Sequence, residues 1–214
     1  MTVVGLITKY NPFHKGHKDH IDKAKEITGA DYAVVIMSGN YVQRGTPSFI
    51  DKYTKTQIAL NNGADLVIEL PYCFACSSAE YFAYSAVSIL DKLNIIDYIC
   101  FGAENDDISL LYQIAGILVD EPSEYTNHLK ELLKTGLPFP LARAKSLKHY
   151  TTKNSIFVNF DEALFQSPNN ILGIEYIKAL IKRKSSIKAV SLKRIEADYH
   201  DIDVDRRFFS ATAI

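Results

Sequence analysis

An α/β fold built on a doubly wound parallel sheet is what this sequence of 214 residues predicts, on three observations. Short apolar runs suited to buried strands alternate with segments of helical periodicity, the pattern of repeated βα units. Over residues 108–150 the strand signal lapses and amphipathic helical segments replace it, which marks a helical insertion at about 106–165 before the βα pattern resumes. The loops that follow the successive strands also carry the unusual polar residues. Those loops sit where open α/β sheets bind ligands, at the C-terminal ends of their strands.

Residues 2–8 make the first strand, because Val3, Val4, Leu6 and Ile7 suit a position buried on both faces. Asn11-Pro12 is a turn dipeptide, and residues 18–27 have the polar and apolar periodicity of a surface helix. A second buried strand is expected at 31–37, a polar glycine-containing loop at 38–47 and a helix at about 51–61. Residues 64–70 form a third strand closed by Pro71, and 77–93 a long helix with Ser77 or Ser78 as N-cap and Glu80 in its first turn. The fourth strand, 97–101, runs into Gly102-Ala103-Glu104. Within 108–150 the helical segments are separated by Pro122 and by residues 136–140. A helix over 169–182 and a last strand over 187–195 complete the pattern.

Composition places the chain among ordinary globular proteins, with 47% hydrophobic and 23% charged residues, and residues 1–214 read as one large domain. No apolar stretch reaches the roughly 18 residues of a membrane span, and the N-terminus lacks the features of a signal peptide, so a cytoplasmic location without membrane contact is expected. Three cysteines are no disulfide framework, and the CxxC of Cys73 and Cys76 has no second pair beside it, so these read as structural thiols. The formal charge of -1 hides an asymmetry: residues 1–125 carry 9 Lys+Arg against 16 Asp+Glu, or -7, and residues 126–214 carry 15 against 9, or +6. An anionic partner for the basic part is one explanation, and solvated helix faces such as Lys182-Arg183-Lys184 are the other.

The most informative stretch is His14-Lys15-Gly16-His17, at the edge of the first strand and the start of the first helix. A helix N-terminus offers unpaired N–H groups and a positive dipole end to an anion. Gly16, lacking a Cβ, lets a nucleobase or a phosphate approach the backbone, and His14 and His17, three apart, can share one side of the turn and donate to phosphate oxygens. Ordinary surface histidines and metal ligands are the competing readings. Zinc on a helix favours histidines four apart plus a third ligand, for which His20 alone is near. Lys9 and Lys15 read either as phosphate contacts or as exposed lysines. In the second loop Ser38, Gln43 and Arg44 are candidates for substrate contact, although a loop arginine also serves to hold a neighbouring acid. Further along, Asn169 and Asn170 carry amides able to read a base edge, Arg194 ends the last strand, and Ser210 and Thr212 belong to a hydroxyl-rich segment suited to phosphate. Asp198 and His200 read equally as nucleotide contacts and as turn residues.

The segments GLITKYNPFHKGH, MSGNYVQRG, DLVIELP, SAEYFA, CFGAEN, SPNNILGIEY and SATAI occur in that order over nearly the whole chain. With them the sequence resembles the HxGH nucleotidylyltransferase superfamily and, within it, the bacterial tRNA(Met) cytidine acetate ligase family. The resemblance implies a Rossmann-like nucleotidylyltransferase fold and a ligase that forms an acyl adenylate. ATP and acetate would give acetyl adenylate and pyrophosphate, and the acetyl group would pass to N4 of the wobble cytidine of elongator tRNA(Met). His14 and His17 would be catalytic. ATP would be held by Ile7, Thr8, Lys9, Tyr10, Asn11, Pro12, Phe13, His14, Lys15, Gly16, His17, Lys18, Asp19 and His20, with Gly102, Asn169, Asn170, Arg194, Ser210 and Thr212, and Mg2+ is expected beside the phosphates. The family pattern continues past Ile214 with an arginine and a further C-terminal region, so the resemblance covers its N-terminal portion. Two alternatives stay open: an adenylyltransferase acting on a phosphorylated small molecule, and an ATP- and tRNA-binding module without catalysis.

Overall fold

Parallel strands dominate the architecture. The computed structural model describes residues 1–156, 162–165 and 167–194. Within them β1 (Val3–Thr8) is followed by α1 (Lys15–Thr28), β2 (Tyr32–Ser38), α2 (Lys52–Asn61), β3 (Leu66–Leu70), the single-turn α3 (Tyr72–Ala75), α4 (Ala79–Leu93) and β4 (Tyr98–Ala103). Then come α5 (Ile108–Asp120), α6 (Ser123–Lys134), α7 (Phe139–Lys153), a short 3-10 turn, α8 (Pro168–Arg183) and β5 (Lys188–Lys193). The five strands form one sheet in the order β3-β2-β1-β4-β5, and every neighbouring pair is parallel.

Alternation along each strand divides the core in two, because successive side chains point to opposite faces. Val3, Val34, Ile36, Ile99 and Phe101 join α4, α5 and α8 in one cluster, while Val4, Leu6, Val35, Met37 and Cys100 join Ile21 and Ala24 of α1 and Ala59 of α2 in the other. Both faces of the sheet are therefore covered. This is why the first two strands read as unbroken apolar runs. The chain winds outward from β1 to β3 and then returns to place β4 on the other side of β1, so the strand order reverses between β1 and β4. The crevice outside the C-terminal ends of these two strands is the topological switch point, the usual place for a ligand in such a sheet.

Several boundaries differ from the expectations above. The first helix begins at Lys15, three residues before the expected start at 18, because His14 caps it. The long helix begins at Ala79 after α3 and Ser78, and the Ser77 hydroxyl donates to the Phe74 carbonyl oxygen of α3. Within the helical region, α5 contributes Leu110, Leu111, Ile114, Ala115 and Leu118 to the main core. α6 and α7 pack on one another and add Tyr125, Ala144 and Leu147 to the same core.

Candidate functional site

The end of β1 leads into a loop held from several sides. Tyr10 turns the chain with a positive φ of 45°, and its ring is 1% exposed, edge-on to Phe13 at 4.8 Å and against His17 at 4.8 Å. The Asn11–Pro12 peptide bond is cis. Asn11 Oδ1 accepts from the Phe49 N–H at 2.6 Å and the Ser48 hydroxyl at 3.1 Å, which fastens the loop to the segment before α2. Lys55 of α2 is fully buried and donates to three carbonyl oxygens, those of Lys9 (3.2 Å), Ser38 (2.9 Å) and Gly39 (2.9 Å). One ammonium thus ties together the ends of β1 and β2. Burial pulls it down to about 8, opposed by the carboxylates of Glu69 and Asp51.

At the start of α1 the two histidines cap the helix reciprocally. His14 Nδ1 accepts from the Gly16 N–H at 3.1 Å, and His17 Nδ1 accepts from the His14 N–H at 3.2 Å. The rings stack with centroids 3.7 Å apart. A ring nitrogen that accepts from an N–H carries no proton, so each neutral ring holds its hydrogen on Nε2. Burial lowers the pKa of both, with the Arg194 guanidinium adding to the effect and, for His17, the two flanking histidines also. At neutral pH the pair therefore presents two Nε2–H donors of fixed tautomer rather than two imidazolium ions.

This corrects the simple view of a bare helix N-terminus. Gly16 N–H is taken by His14 Nδ1, and the N–H groups of His17 and Lys18 go to the His14 carbonyl oxygen. Gly16 itself makes room for a ring: a Cβ there would lie 3.0 Å from His14 Cε1 and 3.1 Å from Nδ1. The bare glycine thus accommodates the histidine ring.

Arg194 follows β5, and its N–H donates to the Ala103 carbonyl oxygen at 3.0 Å. A Cβ at Gly102 would stand 3.2 Å from Arg194 Cγ, so the bare glycine lets the arginine stem cross the end of β4. Its charge acts on His14, His17 and His20 alike. Gly102, Arg194 and the histidines therefore meet at one end of the sheet, at the reversal point between β1 and β4.

Other sequence candidates have structural employment. Glu104 caps α8, its carboxylate accepting from Asn169 Nδ2 at 2.6 Å and from the Asn170 N–H at 3.2 Å. The Asn170 side chain is buried and accepts from the Asn105 N–H at 3.0 Å. The two amides thus lock the loop after β4 onto α8, and the Asn170 side chain is not displayed to solvent. His20 packs on Cys100 at 3.8 Å, and burial brings it down to about 4. Lys18 and Asp19 pair along α1 with Asp22 and Lys23. Lys15 is exposed, and Ile7 and Thr8 end β1 half-buried. In the second loop Lys9 Nζ donates to Gln43 Oε1 at 2.7 Å, joining two candidates, and Ser38 is buried with its hydroxyl unpaired among the described residues. Cys73 and Cys76 are free thiols. The side chain of Arg44 and all of Asp198, His200, Ser210 and Thr212 lie outside the description.

Lys55 is the contributor that sequence reasoning missed. Its only signal was a lysine one helical turn before the buried Ala59, on the face of α2 that meets the sheet.

Known proteins resemble this chain over its whole length. A tRNA(Met) cytidine acetate ligase of Clostridium perfringens is 48% identical over 217 residues, spanning 100% of this chain and 54% of that protein. One from Acetivibrio thermocellus is 50% identical over 214 residues, spanning 100% of this chain and 51% of its own length. Among solved structures, Thermotoga maritima TmcAL bound with alpha-thio ATP matches at TM-score 0.88 and 40% identity over 100% of this chain and 49% of that one. Its apo form matches at TM-score 0.92 and 41% identity, over 100% and 50%. The chain spans about half the length of the curated relatives it matches. With residues 1–214 matching HIGH Nucleotidyl Transferase from end to end, and with the paired histidines at the start of α1, the chain belongs to the HIGH nucleotidyl transferase family.

Proposed function

We propose that this chain carries the ATP site of a cytoplasmic tRNA(Met) cytidine acetate ligase, activating acetate as acetyl adenylate and passing the acetyl group to N4 of the wobble cytidine of elongator tRNA(Met). The relatives' name and the ATP analogue on Thermotoga maritima TmcAL support the substrates. The observation that carries the reading is the reciprocal histidine cap at the switch point, which fixes two Nε2–H donors beside the Arg194 charge.

In the first step an acetate oxygen attacks the α-phosphorus of ATP, the bond to the bridging oxygen of the β-phosphate breaks, and pyrophosphate leaves. In the second, the N4 amine attacks the acetyl carbonyl, AMP departs with the bonding pair, and the amine loses a proton. The first step asks for in-line positioning and for relief of charge on the phosphoryl oxygens. Fixed dipoles meet the second need without reorganising. Removing one such donor typically lowers kcat by roughly 10² to 10³. His14 and His17 are these donors, Arg194 and Lys15 supply the positive field, and Lys55 holds the two loops that frame the site. Among the described residues there is no group of three or more His, Cys, Asp or Glu able to hold a metal ion. Mg2+ would be carried by the phosphates of ATP, where it would neutralise phosphate charge.

Exchange of labelled pyrophosphate into ATP tests the reading. Exchange that requires acetate is expected. Exchange that ignores acetate and requires a phosphorylated co-substrate would point to an adenylyltransferase instead, and ATP binding with background exchange to a module without catalysis.

A further inference from the structure

The His17 ring is hemmed in by three others. His14 stacks on it at 3.7 Å with the planes 27° apart, Tyr10 leans on it at 4.8 Å and 60°, and Phe13 at 5.5 Å and 50°. Tyr10 and Phe13 also meet each other edge-on at 4.8 Å. Behind them lies the core cluster of Leu6, Ile21 and Met37, which contains Tyr10 and has Phe13 packed against it. An imidazole so enclosed cannot turn about its Cβ–Cγ bond without displacing an aromatic neighbour.

Two observations give this enclosure a purpose. The bond that fixes the His17 tautomer, from the His14 N–H to His17 Nδ1, is 3.2 Å long, at the far end of the useful range, so alone it is a weak hold on a ring that can flip. Tyr10 in turn keeps its place at a cost. Its φ of 45° lies in the left-handed region, which glycine enters freely and tyrosine does not. Its hydroxyl is buried beside that of Thr8 without a hydrogen bond of ordinary geometry among the described residues. A glycine would remove both costs and, with them, the ring. Outliers of this kind gather where the surrounding structure fixes a functional group. The segment is held on both sides, the Lys9 carbonyl oxygen by Lys55 Nζ at 3.2 Å and Asn11 Oδ1 by the Phe49 N–H at 2.6 Å.

We propose that Tyr10 and Phe13 are positioning residues that act through His17: together with His14 they form an aromatic collar that holds the imidazole in the orientation that keeps Nδ1 on the backbone and leaves the Nε2–H for a phosphate oxygen. This rests on the reading of His17 as a phosphate donor and adds what aims it. The collar also keeps water from the ring, and burial is the first cause of the lowered His17 pKa. The competing role is direct contact of the two rings with the nucleotide, for which Tyr10, 1% exposed, has no face to offer.

The test uses the full chain, with the His17 tautomer and pKa read from imidazole nitrogen NMR spectra without ATP, stability from urea midpoints, and acetate-dependent pyrophosphate exchange measured in parallel. Phe13→Leu and Tyr10→Leu should each bring a protonated Nδ1 population into the His17 signals and raise the His17 pKa towards 6.5. Exchange kcat should fall roughly tenfold, short of the 10² to 10³ lost with a whole donor, with a smaller change in KM for ATP. Phe13→Tyr, which returns a ring to the collar, should keep the parent's tautomer and pKa. Phe13→Leu decides alone if Tyr10→Leu does not fold, since Phe13 is half-buried. A parent-like tautomer and pKa in the leucine variants would overturn the proposal, whatever their stability. So would a raised KM with the parent's kcat, the mark of a direct nucleotide contact. A parent chain without acetate-dependent exchange would overturn the ligase reading, and the spectra, taken without ATP, would still decide the collar.

Discussion

Replacing His20 by leucine should make the protein markedly less sensitive to acid. His20 is held at about 4 in the folded chain against an ordinary 6.5, because burial against Cys100 disfavours the imidazolium and Arg194 adds to that, with Asp19 weakly opposed. Between these two values the unfolded chain binds a proton that the folded chain refuses, so stability rises with pH across the window and falls as pH drops from 6.5 towards 4. At about 1.4 kcal/mol per pH unit, the full interval amounts to about 3 kcal/mol, of which about 2 kcal/mol is already lost at pH 5. Leucine has similar bulk, suits the contact with Cys100 and cannot titrate. Urea unfolding at pH 7.5 and pH 5 measures the effect, with little interference from carboxylates, whose ordinary values lie lower. The parent should lose about 2 kcal/mol more than His20→Leu between the two pH values, beyond whatever His14 and His17 contribute to both. Equal losses in parent and variant would show that His20 is not held neutral by its burial.

Other perturbations follow from the same geometry. His17→Ala should lower acetate-dependent pyrophosphate exchange by roughly 10² to 10³, and stability by about 1 kcal/mol through the lost cap, as read by exchange rates and urea midpoints. Lys55→Met leaves three carbonyl oxygens without their ammonium and should destabilise by about 1–3 kcal/mol with a raised KM for ATP, since both loops lose their tie. Arg194→Gln removes a charge that depresses His14 and His17, so their pKa values should rise and the acidic limb of the exchange pH profile should move to higher pH; an unmoved limb counts against the arginine's placement.

The sheet was legible because β1 and β2 are covered on both faces and read as unbroken apolar runs such as Val34, Val35, Ile36 and Met37. Its crevice was legible from the polar loops. The helix start was misplaced because histidine is not among the usual capping residues, and here a ring nitrogen does what a serine or aspartate oxygen commonly does. The structural partners of Gly16 and Asn170, the His14 ring and the Asn105 N–H, were not legible because they are fixed only when the chain folds. Lys55 was invisible for a similar reason. A lysine in a helix normally reads as solvated, and only the convergence of three carbonyl oxygens from separate loops makes its burial tolerable.

We propose that His14 and His17 grip the triphosphate through their Nε2–H groups. A crystal structure of this chain with ATP and Mg2+ tests it most directly. Phosphate oxygens should lie within about 3.2 Å of both Nε2 atoms, with each Nδ1 still bonded to the backbone and Arg194 alongside. A triphosphate seated away from the β1–β4 crevice, or imidazoles that turn their Nδ1 atoms to it, would contradict that role for the two histidines.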